Sequence, residues 1–205
     1  MPRQGLWVVD VLTSDPGVSG KVTVALDGGL TFVGTTARAG DWLETGYLRV
    51  LPGAAGMGRT ARRKFYSNGS VGVVVKDLLA AAGEALAASA TPRLLSVQLQ
   101  SYALAEDAVG RSLSALLQDR RLVDPVWRAL PDGTVWVGYE TWPDAGVKAP
   151  VDYQDINELP HEGRAELGFD APTLVPGQSL EGRHLSAVQH DVDGESVRTS
   201  VWFED

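Results

Sequence analysis

The sequence predicts a mainly β protein with an α+β insert, and three observations carry that expectation. Short runs alternate apolar and polar residues and are bounded by Asp-Gly or Pro-Gly turns. Between about residues 66 and 124 the apolar spacing changes from two to three or four. The clearest hairpin in the chain, residues 127–139, then restores the strand pattern.

Lys21-Val22-Thr23-Val24-Ala25-Leu26 alternates and runs into Asp27-Gly28-Gly29, which supplies the positive φ of a hairpin turn, so Leu30 to Gly34 is expected to return beside it. A further strand is expected from Tyr47 to Leu51, ending at Pro52-Gly53, with a glycine-rich loop leading into the basic cluster Arg59, Arg62, Arg63, Lys64. Val75, Leu79, Ala82 and Leu86 mark one helix face, with Ser70 as its cap. Leu94 to Leu99 reads as a short strand. Val109, Leu113 and Leu116 mark a second helix, with Glu106 and Asp107 near its start and Arg120 and Arg121 near its end, matching the helix dipole. In the 127–139 hairpin, Val135, Val137 and Tyr139 share one face and Thr134 and Trp136 the other, across the turn Pro131-Asp132-Gly133. Trp142 to Pro160 lacks periodicity and reads as a loop, and a last hairpin pairs His184–Val188 with Val197–Phe203 around Asp193-Gly194. The expected division is a strand-rich portion at 1–65, a two-helix insert at 66–124, and a second strand-rich portion at 125–205 with a loop at about 142–180.

At 205 residues the chain can bury a substantial core, and two small domains are expected. The net charge of −8 and pI near 4.9 oppose a sequence-independent grip on nucleic acid, which depends on Lys and Arg displacing counterions from phosphates. The absence of cysteine excludes disulfides, thiolate metal sites and cysteine nucleophiles. No apolar run approaches the ~18 residues of a membrane span, and the four-residue apolar stretch near Met1 is too short for a signal peptide, so a soluble protein made in the cytoplasm is expected.

The candidate sites each carry a competing structural explanation. Gly53-Ala54-Ala55-Gly56-Met57-Gly58-Arg59-Thr60 has P-loop spacing with Arg in place of Lys, but Arg62 to Gly69 lacks the helical pattern that must follow a phosphate loop. His161, His184 and His190 stand near carboxylates. His190-Asp191-Val192-Asp193-Gly194-Glu195 nevertheless fits no metal-ligand spacing and reads as a polar turn. Ser186 beside His184 lies in one alternating strand, and Glu106-Asp107 reads as helix-start chemistry rather than an acid/base pair. Six tryptophans would suit a sugar-binding groove, although Trp127, Trp136 and Trp202 fall on expected strands, where aromatics pack. The basic cluster Arg59 to Lys64 is either a solvated loop or a complement to an acidic face of a neighbouring subunit. A non-enzymatic protein is therefore expected, with no catalytic residues, cofactor or metal. The alternative is a carbohydrate- or peptide-binding β module.

Several stretches, taken in order, carry a family resemblance: Phe32-Val33-Gly34, Pro52-Gly53-Ala54-Ala55-Gly56, Arg63-Lys64-Phe65-Tyr66, the run from Val74 to Glu84, the run from Trp127 to Gly138, and Glu140-Thr141-Trp142-Pro143. Over about residues 20–143 this order resembles the tail-hub or baseplate-hub family of tailed phages and related contractile injection systems, and the His190 to Thr199 hairpin is similar to the end of a second hub barrel. The resemblance implies two small β-barrel-like domains and a helix-containing insert. It further implies a virion structural protein: a homotrimer whose six barrels form a pseudo-six-fold hub joining tail tube to central spike. Tail tube, spike and other baseplate subunits would be its partners, and DNA would only pass through the lumen. Family members are often longer, which implies missing auxiliary domains. An acidic bore would repel the passing genome.

Overall fold

Pairing of alternating strands dominates the structure, a computed structural model that describes all residues except 16, 28, 43–44, 148–155, 170, 194–195 and 205. The chain divides into two compact units, one of residues 4–24 and 32–139 and the other of residues 1–3, 25–31 and 140–205. The fold is mainly β, with two curled half-barrel sheets and a small helical region, as the sequence predicts.

In the 4–24/32–139 unit, β1 (Val9–Thr13), β2 (Lys21–Ala25), β3 (Thr31–Trp42) and β4 (Thr45–Pro52) form a four-stranded sheet in the order β1-β4-β3-β2. The period of two is plain in β4, where Gly46, Leu48, Val50 and Pro52 are buried and the residues between them are not. Trp7 is buried against this sheet, edge-on to Phe32 with ring centroids 5.2 Å apart, and its indole N–H donates to the Leu130 carbonyl at 2.9 Å. β1 was not expected from the sequence, and β3 runs well past Gly34.

β5 (Thr60–Ala61) and β6 (Lys64–Ser70) follow, then α1 (Val71–Ala82). The Ser70 hydroxyl accepts the Val73 amide, as a cap does, and Gly83 at φ 75° closes the helix, so Leu86 lies beyond it rather than on its face. The segment expected as a strand at 94–99 is instead a four-residue helix, α2 (Pro92–Leu95), leading into β7 (Gln98–Leu104), which pairs with β6. β8 (Asp107–Ala108) pairs with β5 and opens α3 (Val109–Leu117). The charges expected to serve the α3 dipole lie outside it: Asp107 binds Arg111 at 2.9 Å, and Arg121 binds Asp119 at 2.6 Å beyond the last turn. α1 and α3 bury Val71, Val74, Val75, Leu78, Leu113 and Leu116 in one core with Tyr66, Leu99 and Trp127.

β9 (Val126–Ala129) and β10 (Val135–Gly138) form the expected hairpin, Trp136 opposite Arg128. Val135 and Val137 join the helical core, while Trp136 packs on the other side with Val126 and Ala87. Both faces are thus buried, because the helices cover one and residues 85–91 the other.

The loop after β4 ties these parts together. The Gly53 carbonyl accepts the Thr35 hydroxyl at 2.7 Å, and the Met57 and Arg59 carbonyls accept the Gly110 and Val109 amides at the start of α3, each at 2.9 Å. The Glu84 carboxylate accepts the Ala54 and Gly56 amides at 3.0 and 2.8 Å. A Cβ on Gly56 would lie 1.8 Å from the Ala82 carbonyl, so the loop passes the end of α1 only with glycine there.

The other unit holds a five-stranded antiparallel sheet of β11 (Ile156–Leu159), β12 (Arg164–Leu167), β13 (Ser179–Leu180), β14 (Arg183–Asp193) and β15 (Ser196–Glu204), ordered β11-β12-β15-β14-β13. β14 and β15 are the last hairpin the sequence predicts, with a register shift between Leu185 and Ala187; the glycine of its turn lies outside the described residues. β11, β12 and β13 fall inside the 142–180 stretch expected to be loop, which is therefore partly sheet. Leu167, Leu174, Leu180, Leu185, Val188 and Val201 form the core. Residues 1–3 lie along β14, the Val188 amide donating to the Met1 carbonyl at 2.9 Å and the Arg3 amide to that of Ser186 at 2.7 Å. His190 is partly buried, its Nε2 3.1 Å from the Leu174 carbonyl and its Nδ1 3.1 Å from the Thr199 hydroxyl. A carbonyl only accepts, so Nε2 carries a proton; burial holds the pKa below the ordinary 6.5. Among the described residues no helix is long and apolar enough to cross a membrane.

Two outcomes follow for folding measured by urea. Glu84→Ala, which strands two loop amides, should cost about 1–3 kcal/mol, and Gly56→Ala should cost at least as much; unchanged midpoints would show that the loop is not held this way. Below pH 6.5 the unfolded chain gains a proton that folded His190 resists, so stability is lost as the pH falls through and below that value. His190→Gln should make this loss shallower between about pH 7 and 5, and an unchanged slope would contradict the assignment.

Candidate functional site

The glycine-rich loop with P-loop spacing is built as a structural joint. Thr60 opens the two-residue β5, not a helix, so the loop lacks the helix N-terminus that aims amides at phosphate. The Ala54 and Gly56 amides face the carboxylate of Glu84, an anion supplied by the chain itself.

The three histidines are held in separate ways. His161 is exposed on a 3-10 turn at Pro160–Glu162, His190 is bonded to Thr199 and Leu174, and the His184 ring stacks on Trp142 at 4.1 Å and 5° between planes. On Trp142 also lies the Arg3 guanidinium, 5.4 Å from the ring centroid, a cation–π contact. Among the described residues no three His, Asp or Glu side chains converge as a metal site would require. Ser186 donates to the Trp202 carbonyl at 3.1 Å, at the bulge of β14, and Glu106 lies 3.8 Å from Arg63.

Three of the six tryptophans pack inside rather than line a groove, and Trp142 and Trp202 are half-buried. Trp7, Trp127 and Trp136 are buried, and their indole N–H groups donate to the Leu130 carbonyl, the Ser114 hydroxyl and the Ser89 carbonyl at 2.9, 2.8 and 3.0 Å. Arg128 covers the Trp136 ring at 4.5 Å. The side chain of Trp42 lies outside the description.

The basic cluster stays at the surface. Lys64 is engaged by Asp77, which also accepts the Tyr66 hydroxyl at 3.0 Å; burial, then that hydrogen bond, raises the tyrosine pKa. Arg59, Arg62 and Arg63 are exposed, and next to them Phe65 is 66% exposed on the face of β6 opposite Tyr66. Sequence reasoning passed over Phe65 as a surface feature. The signal available was its place in an alternating strand beside Tyr66, which the core takes.

Leu12 of β1 is 75% exposed, and Val8 and Val192 are exposed as well. Asp10, Tyr47 and Arg49 lie beside Leu12 on the outer face, Arg49 binding Asp10 through two hydrogen bonds of 2.8 Å. The noticeable surface features are therefore exposed apolar residues bordered by charge, together with sheet edges.

No protein-family model matches the chain, and no curated protein matches its sequence. Two solved structures share its fold over nearly its whole length. The 43 kDa tail protein of prophage MuSo2 from Shewanella oneidensis aligns with a TM-score of 0.65 and 10% identity, covering 97% of this chain and 88% of that one. The Escherichia coli c3393 protein, a component of the type VI secretion system described as structurally similar to the T4 bacteriophage tail proteins gp27 and gp5, aligns with a TM-score of 0.65 and 11% identity, covering 96% and 68%. The two half-barrel sheets with their helical region are thus the fold found in these phage-tail and secretion-system proteins, the fold the hub resemblance implies.

Proposed function

We propose that the chain is a structural subunit of a phage or phage-like tail or baseplate, a homotrimeric hub that joins the tail tube to the central spike and resides in the virion. The observation that carries this reading is the fold likeness to a prophage tail protein and a type VI secretion component across 97% and 96% of the chain.

The physical chemistry of the surface favours a protein that works by being assembled. Both larger sheets are open, and the order of the first leaves β1 and β2 as edges. An edge with a protruding Leu12 invites strand pairing or apolar cover, which a lone soluble chain must avoid and a ring supplies from its neighbour. In the other unit one of the two edges, that of β13 and β14, is lined by other segments, since residues 1–3 run beside β14 and the Ala145 amide donates to the Ser179 carbonyl at 2.9 Å beside the short β13. The role is then geometric and non-catalytic: tube and spike subunits are the partners, and DNA only passes. Acidic groups facing the lumen would keep phosphates from sticking. The buried, hydrogen-bonded tryptophans weigh against the carbohydrate-binding alternative.

Purification of tail or injection particles from producing cells tests the reading. The chain should co-fractionate with the particles at a fixed copy number divisible by three, measured by quantitative mass spectrometry against the tube protein. Recovery only outside the particles would contradict it.

A further inference from the structure

Two exposed apolar side chains, one in each unit, are bordered by charges of opposite sign. On β6, Phe65 projects from a face on which its cross-strand partner Ala103, Ser67 two residues on and Ser101 opposite Ser67 are small and exposed. Arg62 and Arg63 precede it. Lys64 is engaged by Asp77, whereas Arg63 is 83% exposed and reaches Glu106 only at 3.8 Å. At the end of β14, Val192 is 53% exposed between Asp191 and Asp193, and the Asp191 carboxylate accepts from the neutral amide of Gln189 at 3.0 Å. One spot is an apolar side chain bordered by arginines, the other an apolar side chain bordered by aspartates.

The charge of the two units has the same complementarity. The unit that carries Phe65 has 13 Lys and Arg against 11 Asp and Glu, a net +2, while the unit that carries Val192 has 5 against 15, a net −10. Arg198 stands opposite Asp191 in the register, but the acidic excess of that unit remains. Opposite fields of this kind steer association and fix which surfaces meet, and an apolar contact inside the charged rim supplies burial.

We infer that the Asp191-Val192-Asp193 tip of one copy docks on the Arg62, Arg63 and Phe65 patch of a second copy of this chain. This rests on the assembly reading above and names the surfaces through which copies meet. The two surfaces are unlike, so copies satisfy both either as a reciprocal two-fold pair or as a closed head-to-tail ring.

The absence of native cysteine allows a direct test. Phe65→Cys and Val192→Cys variants, both at exposed positions, are mixed under mild oxidation, alone and in reconstituted particles. A disulfide-linked pair of one of each should form in about tenfold or greater excess over a mixture of Val123→Cys with Val192→Cys, because docking raises the local thiol concentration. Arg62→Glu with Arg63→Glu in the first chain should abolish that excess. Asp191→Lys with Asp193→Lys in the second chain should restore it. Cross-linking no better than the Val123→Cys control, or an excess indifferent to the charge reversals, would overturn the inference. Co-fractionation with particles is scored separately, so a chain that enters particles without this cross-link loses the docking surface and keeps the assembly role.

Discussion

The loop from Pro52 to Arg59 is the constraint on which the first unit depends. It leaves β4, accepts the Thr35 hydroxyl from β3, passes within the reach of a single methyl group of the Ala82 carbonyl, and offers its Met57 and Arg59 carbonyls to the first amides of α3. α3 has no side-chain cap, so these carbonyl contacts set where it begins. The β9–β10 turn approaches the same loop, a Cβ on Gly133 falling 3.1 Å from the Gly53 amide nitrogen. Sheet, two helices and hairpin therefore meet at one glycine-rich segment, with Glu84 as its counter-anion. The feature that most resembles a nucleotide site is the joint of the fold.

What the rest of the molecule offers is surface. Among the described residues, several polar groups are bound within the structure: His190 between Thr199 and Leu174, Asp77 between Lys64 and Tyr66, Ser186 on Trp202. Large apolar side chains are exposed on strands at Leu12, Phe65 and Val192 and off them at Val8, Val73 and Val123, and the charge is divided unequally between two units. Such a distribution suits a component whose work is to hold position among copies and neighbours, where edges are completed by association.

Much of this was legible in the sequence where a local pattern controls the outcome. The Ser70 cap, the apolar stripe of α1, the stripe at Val109, Leu113 and Leu116, and the hairpins at 127–139 and 184–203 all follow from spacing and turn chemistry. β1 was hidden because Leu12 is apolar on the solvent side and breaks the alternation of Val9 and Val11. α2 is too short to show a period, and its adjacent Leu94 and Leu95 imitate a strand. β11 is four residues long and half polar, and it forms because β12 pairs with it. The role of Glu84 was beyond local reading, since its partners lie 28 and 30 residues earlier and only the packing of α1 brings them to it. The exposed patch around Phe65 was visible only as a basic cluster, because burial of its neighbour Tyr66 decides which aromatic is left outside.

The central claim is that this chain functions as one copy among several, and its absolute mass in solution tests that claim most directly. Light scattering behind a sizing column, over a range of concentrations, should show a species three times the 21.8 kDa chain that grows with concentration. A constant mass of one chain, even at the highest concentration and in the presence of its tube and spike partners, would contradict it.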